Sequence, residues 1–508
     1  MAGKLSLKRM TGYSYNDSGR VATVVYPGYS YANGQVSNIA MTVGGTVHNV
    51  ASTVTYRGGD RAMAGWVSSN GLANNLSYDG DGRLTAIMVP TLQNLAFTYD
   101  AADRISSITN GMNGTLTQSF QYDALSRLTA VTSGAGNQSF QYDPSGNRTV
   151  QTGKVNTIGA TNNRLTSSGT TQFGYDVQGN TTSVDGVLTY HYDAFNRMDS
   201  AGGMSYYVNP EGQRLRKTGN TGTTFFATDA SGPLLAERPN GNWVDYVWLN
   251  GRLIGRVANG QIYAIHDDQV GRPEAVTDAS RNVVWQAQNL AFTQNVTVAS
   301  IALNVGFPGQ YYDAETGKWN NGFRDYDSGT GRYLQSDPIG LMGGINTYVY
   351  VGSNPVSGID LLGLCTECGN QPTLPNGVSV KANIQYMQVV RRQVVASGDP
   401  FYTGLFSTFF HLVKYGGDWD YKTQNTYPGQ YDDGGNFNYG ATGAAAGIST
   451  QLLSRAAGAA QMAHSSSNFA WAFPLGPFGG APYGDQPMDQ AAIKAGIAYY
   501  QCLVSGGK

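Results

Sequence analysis

FQYDALSR at Phe120–Arg127 returns as FQYDPSGN at Phe140–Asn147. The same frame reads LSYDGDGR at Leu76–Arg83, FTYDAADR at Phe97–Arg104, FGYDVQGN at Phe173–Asn180 and YHYDAFNR at Tyr190–Arg197. Successive Tyr-Asp pairs lie 21, 23, 20, 33 and 17 residues apart, too irregular for a strict solenoid. An aromatic two residues before the Tyr fits the period-2 alternation of a strand and puts both rings on one face. The Asp that follows, with Gly or Asn three residues on, is turn chemistry in which the Asx side chain closes the turn. A second short apolar stretch such as RLTAV comes next. Each unit is therefore a strand–turn–strand hairpin that cannot bury its aromatic face alone, whereas stacked hairpins can. The plain role of these Tyr-Asp pairs is a packing ladder.

Composition agrees. The 508 residues hold 67 Gly and 33 Tyr, and only 13% are charged, about half the usual share. Such amounts favour short strands and tight turns, and 41% hydrophobic content rules out wholesale disorder. A net charge of −2 leaves no footprint for a dedicated nucleic-acid binder, and three Cys are too few for a disulfide scaffold. No apolar run reaches the length of a membrane span, and MAGKLSLKRM lacks the apolar core of a signal peptide. The chain enters directly in GYSYNDSGR, which reads as a short or truncated member of a repeat family.

These repeats resemble the YD repeats of Rhs proteins, of the C components of Tc toxins and of teneurins. IYAIHDDQVGRPEAVTD at Ile262–Asp278 is similar to an Rhs segment. GQYYDAETGKWNNGFRDYDSGTGRYLQSDPIGL at Gly309–Leu341 and INTYVYVGSNPVSGIDLLGL at Ile345–Leu364 resemble the Rhs-associated core. The resemblance covers residues 1–364. It implies a mainly β fold: a YD-repeat shell over residues 1–260, then a core with shell closure over 261–364. The strands would spiral into a closed cocoon around the rest of the chain, residues 365–508.

Two carboxylates stand out, Asp337 in DPIGL and Asp360 in DLLGL. Close together in a pocket of low dielectric, two carboxylates cannot both ionise, so one acts as base toward water while the other polarises a carbonyl. From spacing alone both read first as turn starters. The resemblance favours chemistry, because in Rhs proteins two such motifs flank an aspartyl autoprotease that cuts just after the second. Carried over, the scissile bond is Leu364–Cys365. Arg324 and Arg332 are the nearest cations able to orient the pair, with Asp325 a third acidic candidate. Leu361 stands where the family has Pro, and the 19 residues between Gly340 and Asp360 are one more than expected. A bulge at Gly352–Ser353 would absorb the extra one.

After residue 364 the hairpins stop and helical periodicity starts. Helices are expected at Asn383–Val395, Tyr402–Tyr415, Ala444–Ala463 and Met488–Leu503, making an α or α+β domain. Lys plus Arg equal Asp plus Glu there, eight each. His411 and His464 form no metal motif, and CxxC at Cys365–Cys368 lacks a second half. The thiols read as structural, or as a Cys368–Cys502 disulfide. No metal or other cofactor is expected.

GGDWDYK at Gly416–Lys422 and DDGGNFNYGATG at Asp432–Gly443 interleave rings with Asp, Asn and Lys, which suits a groove for a polar substrate. The plainer reading is a Gly-rich loop that caps the Ala444–Ala463 helix through Thr442. WDYK…GNFNYGATGAAAG, with YGDQPMDQ and IKAGIAYY, resembles the type-44 polymorphic toxin domain over most of Phe401–Tyr500. The candidate groove residues are Asp420, Lys422, Asn436, Asn438, Tyr439 and Asp489. The resemblance implies a carrier made in a bacterial cytoplasm and secreted without a signal peptide, by a contact-dependent or type VI-like system. Its partners would be its own toxin domain inside the shell, a cognate immunity protein and a component of the secretion apparatus. The toxin reads as a hydrolase of RNA or of a cell-wall polymer. A teneurin-like surface binder or a structural wall protein is the alternative.

Overall fold

The computed structural model describes residues 13–15, 21–24, 28–32, 35–58, 62–209, 212–229, 232–364, 380–396, 403–414, 418–419, 432–449 and 452–457, with 492–493, 496–497 and 499–500. Two compact units divide the chain: residues 1–338 with 346–363, and residues 339–345 with 364–508.

The first unit is β throughout. Seventeen strands, from Gly28–Ala32 to Val187–Leu188, form a closed barrel, each antiparallel to its neighbour in sequence wherever the pairing is resolved. A 12-stranded antiparallel sheet runs from Tyr190–Tyr192 to Gln294–Ala299, and a 4-stranded sheet follows at 311–333. The expected boundary at 260/261 falls in a hairpin turn of the 12-stranded sheet, between Arg252–Ala258 and Gln261–Asp267.

The repeats form the hairpins expected of them. Phe97, Phe120 and Phe140 are buried, and the Tyr two residues on packs half-buried beside each. The Asp closes its turn: Asp100 Oδ1 accepts from the N–H groups of Ala102 and Arg104, at 2.9 and 3.1 Å. Arg104 Nε donates to Asp100 Oδ2 at 2.7 Å, and this bond holds the carboxyl below its ordinary pKa. The same Arg104 then leaves its own repeat. Its Nη1 donates to Asp123 O at 2.9 Å, and its guanidinium lies 4.8 Å from the centre of the Tyr122 ring. Arg127 repeats the pattern on Asp143 O and Tyr142. Tyrosine hydroxyls reach the other way, Tyr122 to Ile105 O at 2.8 Å and Tyr142 to Leu128 O at 2.7 Å. Just before each of these Tyr residues the register shifts, at Gln121/Tyr122 and at Gln141/Tyr142. Such bulges bend and twist a sheet, which makes it wind.

Later strands close over the aromatic face. Phe292 packs edge-on against Phe140 at 5.0 Å, under the Arg148 guanidinium. His266, 1% exposed, shares hydrogen bonds with Asn74 and Thr277, joining the barrel to the 12-stranded sheet. Burial holds its imidazole neutral, with the pKa pushed down to about 4.

The second unit is helical where it is described: α1 (Val380–Ala396), α2 (Thr403–Val413) and α3 (Asp432–Ala445). The first two match expectation. The third corrects it, because DDGGNFNYGATG is helix, not loop. Close packing explains its glycines: a Cβ on Gly440 would lie 2.0 Å from Ile493 O. The helix expected at Ala444–Ala463 also changes. Gly447, with φ +82°, ends α3 in a Schellman motif through Ile448 N to Gly443 O and Gly447 N to Ala444 O, and the next described helical residues are 452–457.

The ladder predicts a graded loss at one ring. Tyr122→Phe forfeits the bond to Ile105 O and should destabilise by about 1–2 kcal/mol. Tyr122→Ala should cost roughly 2–5 kcal/mol. Unchanged thermal midpoints in both variants would contradict a stacked-hairpin shell.

Candidate functional site

The 4-stranded sheet comprises Tyr311–Asp313, Lys318–Asn321, Arg324–Asp327 and Arg332–Tyr333. Its third strand begins with Arg324, fully buried, and one nitrogen of that side chain meets both predicted carboxylates. Arg324 Nη2 stands 2.9 Å from Asp337 Oδ2 and 3.3 Å from Asp360 Oδ2. Nη1 donates to Thr347 O at 3.1 Å, and Nε donates to Gly363 O. A single guanidinium thus holds two acids more than twenty positions apart, together with the segment that leads to Leu364.

Tyr333 completes the cluster. Its ring lies 3.7 Å from the Arg324 guanidinium, and its hydroxyl donates to Asp360 Oδ2 at 2.7 Å. Burial, then the Asp360 charge, drive that phenol well above its ordinary pKa, so it stays a donor. Asn321 Nδ2 donates to Asp360 O at 2.9 Å and to the Tyr333 oxygen at 2.6 Å. Sequence reasoning passed over Tyr333 and Asn321. The signal was there, since both lie in the same core signature as Arg324.

The segment Asp360–Gly363 is seated by backbone. Phe323 N donates to Leu362 O at 2.9 Å. A Cβ on Gly309 would lie 2.3 Å from Leu361 O, and one on Gly322 would lie 2.5 Å from Leu362 O. Only glycine allows that approach. Val351, Gly352 and Ser353 all have positive φ, 41°, 58° and 63°, in the loop where a one-residue bulge was expected.

Arg332 does not join the pair. Strand alternation turns it away from its neighbour Tyr333. It donates to Asn163 O at 2.5 Å and stacks 4.8 Å from the Tyr348 ring. Asp325, next to Arg324, is likewise turned away: it accepts from Gln335 Nε2 at 2.6 Å and from Asn320 Nδ2 at 3.2 Å. Burial pushes its pKa up.

In the second unit only half of the groove residues are described. Asp420, Lys422 and Asp489 lie outside the described residues, as do Cys365, Cys368 and Cys502. Asn436, Asn438 and Tyr439 sit on α3, where residues two apart point in nearly opposite directions. Asn438, fully buried, accepts from Asn383 Nδ2 at 3.0 Å, and Tyr439 donates to Leu453 O at 3.1 Å. Thr442 is no N-cap: it lies inside α3, and its hydroxyl donates back to Asn438 O at 2.6 Å.

A family model described as the teneurin YD-shell matches residues 68–159 and 91–356, more than half of the chain. The chain belongs to the teneurin YD-shell family. Solved Tc toxin structures share the shell's fold. A crystal structure of TcdB2-TccC3-Cdc42 matches with TM-score 0.55 at 19% identity, covering 69% of this chain and 21% of that one. A Photorhabdus luminescens Tc holotoxin pore matches with TM-score 0.54 at 19% identity, covering 72% and 21%. Beyond the YD-shell, residues 392–502 match a model described as bacterial toxin 44. Curated relatives include the double-stranded DNA deaminase toxin A of Burkholderia cenocepacia, 42% identical over 110 residues, 20% of this chain and 8% of the relative. The probable deoxyribonuclease RhsA of Dickeya dadantii is 36% identical over 118 residues, 23% and 8%. The toxin protein Tse5 of Pseudomonas aeruginosa is 31% identical over 117 residues, 23% and 9%. The matched stretch is less than a tenth of each of these three relatives. This YD-shell protein therefore carries a C-terminal segment similar to a bacterial toxin. Among the described residues, no helix is long and apolar enough to cross a membrane.

The charge arrangement predicts strong coupling. Arg324→Met leaves two buried carboxylates uncompensated and should destabilise the shell by roughly 3–5 kcal/mol. Adding Asp337→Asn and Asp360→Asn to Arg324→Met should restore part of that loss. Purely additive thermal denaturation would contradict the shared ion pair.

Proposed function

We propose that this YD-shell protein is a self-cleaving toxin carrier, cut between Leu364 and Cys365 by Asp337 and Asp360. The observation that carries this reading is the Arg324 nitrogen that meets both carboxylates while Nε of the same side chain binds Gly363 O, one residue before Leu364. One positive charge against two buried acids suits a pair that works with one proton between them. The ionised partner takes a proton from water as its oxygen attacks the Leu364 carbonyl carbon. The protonated partner gives its proton to the departing Cys365 nitrogen as the C–N bond breaks. Arg324 and the Phe323 N–H position the segment, and Tyr333 orients Asp360.

Residues 365–508 are the cargo on this reading, held in the shell until it opens, and neutralised in the producing cell by an immunity protein. Export is proposed to use a contact-dependent or type VI-like apparatus from the cytoplasm. Two readings of the cargo's substrate are each supported by one observation. Relatives named for DNA chemistry support a nucleic-acid substrate, with DNA beside the RNA first expected. The balance of eight basic and eight acidic residues supports a neutral polymer such as cell-wall glycan. Directing the cargo to the cytoplasm or to the periplasm of a susceptible cell tests this. Killing only from the cytoplasm supports nucleic acid, and killing only from the periplasm supports the wall.

Asp337→Asn and Asp360→Asn should each leave a single uncut chain on a denaturing gel, where the parent gives two fragments that co-purify under native conditions. Two fragments from both variants would reject the aspartyl mechanism, and a parent that is never cut would reject the carrier reading.

A further inference from the structure

Two adjoining cavities, of about 120 and 40 Å³, lie between the barrel and the 12-stranded sheet. Asn110, Leu116, Glu274 and Gln288 line both of them. Gln93, from the strand Gln93–Tyr99, lines the larger and is 5% exposed. Its Nε2 donates to Asp267 O at 3.0 Å and to Glu274 Oε2. Among the described residues its Oε1 has no donor. Gln118, on the wall of the smaller cavity, likewise has a buried Oε1 without a donor among the described residues. Unmet acceptors at this depth are rare in folded proteins and need a donor or a cation.

The charges point the same way. Asp267 pairs with Arg252 at 2.7 Å, and Asp268 pairs with Arg272 at 3.0 Å. Arg272 spends Nη1 on the carbonyls of Leu290 and Thr293. Among the described residues no cation lies within ion-pair distance of Glu274. Three carboxylates thus face two guanidiniums, and the unmatched one lines the cavities beside an unmet amide oxygen.

We propose that the larger cavity is a binding site for a hard divalent cation of the calcium class, held by the Glu274 carboxylate and Gln93 Oε1 and completed by water. The donor set consists of oxygens, with no His or Cys, which excludes the soft and borderline metals. Calcium takes six to eight oxygens in flexible geometry, and 120 Å³ gives room for the ion and several waters. Magnesium sheds its water reluctantly, so it gains less than calcium from exchanging waters for one carboxylate and one amide oxygen. A single carboxylate makes the site weak, with a dissociation constant on the order of 10⁻⁴–10⁻³ M. Gln93 belongs to the barrel and Glu274 to the 12-stranded sheet, so the bound ion ties the two together.

Calorimetric titration of the chelator-treated full chain with CaCl₂, repeated with MgCl₂, tests this, with thermal midpoints recorded alongside. One Ca²⁺ per chain is expected, raising the midpoint, with uptake weakened at least tenfold in Glu274→Gln and in Gln93→Met. Glu274→Gln, which keeps an acceptor for Gln93 Nε2, should melt in chelator at or above the parent's midpoint, which separates a lost site from a lost fold. No saturable uptake up to ~10 mM, ten times the weak end of the range above, would overturn the proposal. So would equal uptake of Mg²⁺, or uptake undiminished in both variants.

Discussion

Each arginine of the YD ladder is tied to its own turn and to the next repeat at once. Arg104 is fixed by Asp100, four residues before it, and reaches over Tyr122 to the carbonyl of Asp123. Tyr122 answers with a bond back to Ile105. Any one link is modest, about 0.5–1 kcal/mol for an exposed cation over a ring and a similar amount for a neutral hydrogen bond. Their value lies in geometry, because each hairpin sets the angle of the next and the bulge before every tyrosine turns that angle into a winding sheet.

Where the ladder lacks arginine, the core docks. The fifth residue of the turn is Asn at 147 and 180, in place of Arg. Asn147 Oδ1 accepts from Asn346 Nδ2 at 2.6 Å, and Gly179 O, beside Asn180, accepts from the Tyr348 hydroxyl at 2.7 Å. Thr181 N and its hydroxyl both donate to Leu334 O at 2.9 Å. Arg148 Nη1 and Thr330 O add a further clasp at 3.3 Å. The repeat shell thereby positions residues 330–334 and 346–348, which flank Asp337 in the sequence. Changes in the Asn-type turns should therefore be felt at the carboxylate pair, although they touch neither acid.

Much of this was legible in the sequence. Period-2 rings and Asx turns named the hairpins, and the two DxxGL motifs named the acids. What escaped was whatever depends on contacts distant in sequence. Nothing local distinguishes Arg324, which meets the pair, from Arg332, which does not; the difference is the strand face each one occupies. The register shift at each tyrosine was equally hidden, because a bulge is a property of two strands. The α3 error has a different origin. Gly434, Gly435, Gly440 and Gly443 are poor helix formers and read as a loop, yet at Gly440 the backbone of residue 493 comes too close for any Cβ. Gly447 was the overlooked local signal, since AAAGIS is a helix followed by its C-terminal glycine.

On the proposed reading, the shell, the clasp and the Arg324 cluster all serve one peptide bond, Leu364–Cys365. Sequencing the N-terminus of the smaller fragment of the purified chain tests that claim most directly. The account predicts a single start at Cys365, followed by Thr366 and Glu367. A start elsewhere would detach the carboxylate pair from the cleavage, and the absence of any smaller fragment would contradict self-cleavage altogether.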